Sequence, residues 1–78
     1  MTLNEIALNK DYYIKKISAT GILRRRMQDM GIVEGTEICG KFRAPFGEPV
    51  AYYVRGTLLA LRNEDARLIE VERVVENE

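Results

Sequence analysis

Residues 21–37, GILRRRMQDMGIVEGTE, constrain the fold more than any other stretch. Leu23, Met27 and Met30 recur at i, i+4 and i+7, which lays them along one face of a helix. Arg24, Arg25, Gln28 and Asp29 fall on the other side. Gly31 supplies the left-handed residue that ends a helix, and Ile32 can fold back onto its last turn, as in a Schellman motif. Gly35 marks a second turn four residues on. The remaining sequence is broken into short runs of strand formers. This is therefore the one substantial helix, and it must cover one end or face of a small sheet.

The strands follow from alternation and from turn residues. Residues 12–17 form the first, and because Ile14 and Ile17 have opposite parity, a bulge is expected at Lys15-Lys16. Residues 36–43 form the second, with Ile38, Gly40 and Phe42 on one face and Glu37, Cys39, Lys41 and Arg43 on the other. Two prolines and a glycine make residues 44–49 a loop. Residues 50–55 and 57–61 are the third and fourth strands, turning at Gly56, with Val50, Tyr52, Val54, Leu59 and Leu61 inward. Residues 63–66 read as a single capped turn, and residues 68–72 as a fifth strand with Ile69 and Val71 inward. Thr2-Leu3-Asn4-Glu5 has capping-box spacing, and one helical turn there would put Leu3 and Ile6 over the core as a lid. Residues 73–78 are expected to fray. Short, regularly spaced strands favour a closed or nearly closed barrel that protects its edges. The fold class is all-β with one short helix, inserted after the first strand of a small five-stranded barrel, in a single domain spanning 1–78.

Composition narrows the chemistry. A chain of 78 residues has a thin core and little room for a deep pocket. Twelve basic and twelve acidic residues cancel, which argues against a nucleic-acid binder. No apolar run approaches the ~18 residues of a membrane span, so no membrane insertion is expected. The lone Cys39 fits a reducing cytoplasm, and with no histidine an ordinary zinc site and the commonest general base are both missing. No cofactor, metal or catalytic residue is assigned.

Two features remain as candidates for function. Arg24-Arg25-Arg26 spreads over more than half of a helix circumference at about 100° per residue, so the guanidinium groups do not converge. The run reads as a solvated face, as a contact surface for a partner protein, or as the source of an arginine finger for a nucleotide-hydrolysing partner. Phe46, between Pro45 and Gly47 at a loop tip, either anchors an interface or folds back to cap the barrel. Met27 and Met30 are core residues on this reading, and Cys39 is a small strand residue.

The residues LRRRMQDMGIVEGTEI, followed by RAPFGEPVAYYVRGTLLALRNEDARLIEVE, resemble the FeoA family of bacterial ferrous iron uptake. The resemblance runs from about Leu3 to Glu72 and rests on the order and spacing of several weak elements. These are Leu23-Arg24 through Asp29-Met30-Gly31, then Gly35, Ala44-Pro45 with Gly47 and Pro49, and Val54-Arg55-Gly56 leading to Leu59-Ala60-Leu61-Arg62. Asn9-Lys10 and Glu34 depart from it, at positions where Pro-Gly and Pro are common. The resemblance implies an SH3-like barrel. It also implies an accessory protein that acts with the FeoB iron transporter, which carries a cytoplasmic GTP-binding domain. The expected function is that of a non-enzymatic cytoplasmic monomer working by contact with that domain, with regulation of FeoB GTP hydrolysis as the alternative. The expected partner-binding residues are Arg24, Arg25, Gln28 and Phe46.

Overall fold

A computed structural model describes residues 1–75. Five strands form one antiparallel sheet: β1 (Asp11–Ile17), β2 (Glu37–Arg43), β3 (Val50–Val54), β4 (Thr57–Leu61) and β5 (Ile69–Arg73). Their order is β4-β3-β2-β1-β5, so β4 and β5 are the edges. The helix α1 (Gly21–Asp29) lies between β1 and β2 in sequence, where it was expected. A four-residue helix, α2 (Asn63–Ala66), joins β4 to β5, with Arg62 as its N-cap. Among the described residues, α1 is the only helix longer than one turn.

The sheet coils around one core. Tyr12, Ile14 and Ile17 of β1, Ile38 of β2, Val50, Tyr52 and Val54 of β3, Leu61 of β4, and Ile69 and Val71 of β5 are all buried there. The β1–β5 register shifts between Ile14 and Lys16, which places the bulge at Lys15 and returns Ile17 to the inner face. Arg73, expected in the frayed tail, pairs with Tyr12 at the end of β5, and its guanidinium lies over the Tyr12 ring. Val74 still donates its amide to the Asp11 carbonyl. Residues 76–78 of that expected tail lie outside the described residues.

The helix ends as its sequence dictates. Gly31 has φ +91°; its amide donates to Gln28 O at 3.0 Å, and the Ile32 amide donates to Met27 O at 2.9 Å. These are the two hydrogen bonds of a Schellman motif, and the side chains of Ile32 and Met27 are both buried in the core. Met30 departs from expectation: it is the C-cap, 38% exposed, and Ile32 fills the core position in its place. Thr20 is the N-cap, although its hydroxyl makes no capping bond.

The lid also forms. Leu3–Glu5 is one 3-10 turn with its capping box made, Thr2 N donating to Glu5 Oε1 at 2.8 Å. That hydrogen bond holds the Glu5 carboxyl below its ordinary pKa. Leu3 and Ile6 are buried. Two core tyrosines reach the lid from below: the Tyr12 hydroxyl accepts from the Ala7 amide at 3.1 Å, and the Tyr52 hydroxyl donates to Leu3 O at 3.5 Å. The lid packs against α2 and β5, and a bridge between Thr2 and Glu70 pins its start.

Candidate functional site

The three helix arginines do different things. Arg24 is half-buried, and its Nη1 donates to the Ile17 carbonyl at 2.8 Å. It ties the first turn of α1 to the end of β1, so its guanidinium serves the fold. Arg25, Arg26 and Gln28 are exposed. Periodicity alone cannot separate these roles, because the tie depends on where β1 ends. Arg24→Met is expected to cost about 1.5 kcal/mol, since it removes a charged donor from a part-buried carbonyl. Arg25→Met and Arg26→Met should stay within about 0.5 kcal/mol. Urea denaturation of the three variants checks the ranking.

Phe46 does not fold back. It is 99% exposed, the most exposed large apolar side chain among the described residues. Its loop is nevertheless held: Gly47 N donates to Ala44 O at 2.8 Å, and Ala44 N donates to Pro49 O at 3.1 Å. The Glu48 carboxylate accepts from the Asn63 amide at 2.8 Å, fixing the loop to the start of α2. An aromatic presented on a braced turn loses little conformational entropy when a partner covers it.

The sequence candidates fall into two groups in space. Helix α1 sits where β1 ends and β2 begins, with Gly31 beside Val54 and Arg55 at the far end of β3. The Phe46 loop joins the other end of β2 to the start of β3. Seven residues of β2, roughly 20 Å of strand, separate them. Arg25 and Gln28 therefore form one patch and Phe46 another.

The structure also exposes a surface that the sequence reading missed. The β2–β3 register shifts between Gly40 and Phe42, leaving Lys41 as a bulge residue. This reverses the expected parity of the two residues after it. Phe42, expected inward, pairs with Ala51 on the outer face and is 56% exposed. Arg43 pairs with the buried Val50 yet stays exposed, and its Nη2 donates to the Ile6 carbonyl at 3.3 Å. Two rows then cross the outer face: Phe42, Ala51 and Ala60, and beside them Cys39, Tyr53 and Leu58. Tyr53 and Leu58 are about half exposed, and Lys41 Nζ lies 5.7 Å from the centre of the Tyr53 ring. Cys39 is only 7% exposed at the base of this surface. The one available sequence signal was the apolar pair Leu58-Leu59, which must send one leucine to each face.

A shallow depression of about 410 Å³ beside these rows is lined by Asp11, Glu37, Cys39, Tyr53 and Arg55 among others. Among the described residues no group of three or more potential metal ligands comes together, and no helix is long and apolar enough to cross a membrane. The described residues offer these exposed surfaces for contact.

Comparison with known proteins agrees with this architecture. A family model described as the FeoA domain matches residues 1–73. A Porphyromonas gingivalis protein described as a fusion of Fe(2+) transport protein A with the Fe(2+) transporter FeoB is 35% identical over 77 residues. That match takes in 99% of this chain but only 9% of the fusion protein. The solution structure of iron(II) transport protein A from Clostridium thermocellum superimposes with a TM-score of 0.92 at 34% identity, over 95% of this chain and 46% of that one. The crystal structure of FeoA from Stenotrophomonas maltophilia, an SH3 domain protein complexed with zinc, gives 0.80 at 30% identity, over 92% and 89% of the two chains.

Proposed function

The chain belongs to the FeoA domain family, and we propose that it is a non-enzymatic cytoplasmic accessory module of ferrous iron uptake, working by contact with the cytoplasmic part of a FeoB-type transporter. The fusion of the two proteins in Porphyromonas gingivalis supports that pairing, because fusion holds partners at high effective concentration. The observation that carries the reading is Phe46, fully exposed on a loop braced at both ends. A free chain gains nothing from an aromatic in water there, whereas a partner's pocket would make it an anchor. Arg25 and Gln28, at the other end of β2, supply a second and polar contact. Arg24 contributes by holding the helix in place.

The test is binding of this chain to the cytoplasmic part of its FeoB partner, measured by calorimetry. Phe46→Ala is expected to weaken the complex about tenfold or more, with no loss of thermal stability. Arg25→Glu should slow association and make what remains less dependent on salt. If both folded variants bind as the parent does, the contact lies elsewhere. Should Arg25→Ala leave binding intact but slow GTP turnover, the arginine is acting on hydrolysis, and the scaffold reading gives way to regulation of GTP hydrolysis.

A further inference from the structure

An edge strand carries a row of unpaired backbone donors and acceptors, and proteins commonly defend such edges with charge, proline, a bulge or an overlying segment. The strand β4, TLLAL, has no charged residue and no proline. Its register with β3 runs unbroken from Thr57 opposite Val54 to Leu61 opposite Val50, so it has no bulge either. Thr57, Leu58 and Ala60 are exposed, and among the described residues no other segment hydrogen-bonds the backbone of Leu58 or Ala60. The other edge, β5, carries Glu70, Glu72 and Arg73 and is bridged to the lid.

The ladder geometry says which groups are free. The β3–β4 hairpin closes with the two-residue turn Arg55-Gly56, so Thr57, Leu59 and Leu61 exchange hydrogen bonds with β3. The N–H and C=O of Leu58 and Ala60 then point away from the sheet. These four groups are self-complementary: an antiparallel copy of β4, turned about a two-fold axis through Leu59, sets Leu58 opposite Ala60 twice and satisfies all of them.

We propose that β4 is a self-association edge, through which two copies of this chain join their sheets antiparallel about Leu59. The outer apolar rows would run on across the axis, Tyr53 and Leu58 of one copy meeting Ala60 and Ala51 of the other. No charged side chain lies within the paired strands, so the axis brings no like charges together.

Analytical ultracentrifugation of the whole chain tests this. An edge this short belongs with weak interfaces, so average mass should climb from 8.9 kDa toward twice that value between about 10 μM and 1 mM. Ala60→Lys places a cation beside the axis, and Ala60→Pro removes an outward N–H that the chain itself does not use. Each should weaken the dimer at least about tenfold, while circular dichroism shows the fold retained. In a Cys39→Ser background, Leu59→Cys should oxidise to a linked dimer and Thr57→Cys should not. A chain that stays monomeric at about 1 mM overturns the proposal. So does a dimer insensitive to both Ala60 substitutions, which would use another surface. A monomer whose Ala60 variants lose FeoB binding would assign the edge to that partner and overturn self-pairing equally.

Discussion

Replacing Met27 with alanine is expected to lower the stability of the domain by about 3–4 kcal/mol and to release α1 from the sheet. Met27 is the only fully buried residue of the helix. Leu23 packs at the edge of the core, Ile22 is 79% exposed, and the C-cap Met30 is partly in solvent. A nine-residue helix is not stable by itself, because a few hydrogen bonds do not offset the cost of nucleation. Docking must therefore supply the difference, and it comes from Met27, Leu23 and the returning Ile32. A domain of this size has roughly 4–12 kcal/mol in all, so the variant should be partly unfolded near body temperature. Met27→Leu keeps the volume and should stay within about 1.5 kcal/mol. Met30→Ala should cost well under that. Urea denaturation followed at 222 nm measures all three. A Met27→Ala loss no larger than that of Met30→Ala would mean that α1 is held mainly by Arg24 and its cap.

This dependence explains why the helix was legible. Its face, its stop at Gly31 and the return of Ile32 are set by neighbours within a few residues. The capping box at Thr2 and the bulge at Lys15 are local in the same sense, the first from spacing and the second from a parity conflict between Ile14 and Ile17. The bulge at Lys41 left no such conflict. Ile38, Gly40 and Phe42 make a plausible inner face, and an arginine at position 43 looks like an outward residue. What decides it is distant: Arg43 reaches the Ile6 carbonyl, thirty-seven positions away in sequence, at the rim of the barrel. Once the rim takes Arg43, Phe42 must turn outward. The apolar outer surface of β2, β3 and β4 was hidden for that reason. The tie made by Arg24 was hidden for a similar one, because nothing near it in sequence reveals that the Ile17 carbonyl lies within reach.

The candidate contact residues show the same division. The exposure of Phe46 follows from a loop whose prolines and glycine forbid a ladder, although only the structure reveals that the ring stays in solvent. Alternation says nothing about distance along the barrel, so it could not report that Arg25 and Phe46 lie at opposite ends of β2. A partner touching both must span most of the domain. One touching a single end should be sensitive to one class of substitution only.

Gly40→Val should cost about 2–3 kcal/mol, and the loss should be concentrated in the lid. Gly40 needs no unusual backbone; what it lacks is room. A Cβ there would stand 3.1 Å from Leu8 Cδ2 and 3.3 Å from Ile6 Cδ1, with the Tyr52 ring at 3.7 Å. The first two contacts are tighter than packed carbons accept. Tyr52 belongs to the core and cannot retreat, so the lid must rise. If residues 6–9 shift, several bonds weaken together. The Asn9 amide donates to Gly40 O at 2.7 Å, the Ala7 amide to the Tyr12 hydroxyl, and Arg43 to Ile6 O. Burial of Ile6 is lost with them. Overpacking of this kind ranges over about 1–3 kcal/mol, and the linked hydrogen bonds put this site near the top. Gly40→Ala adds only the Cβ, and with flexible side-chain ends opposite it should cost about half as much. Hydrogen exchange separates this mechanism from general strand destabilisation. Amides 6–9 should exchange orders of magnitude faster in Gly40→Val, while those of Ile38 and Val54, at the other end of the same strand pair, keep most of their protection. Uniform loss across β2 and β3 would show that the valine strains the sheet itself and that the lid merely follows.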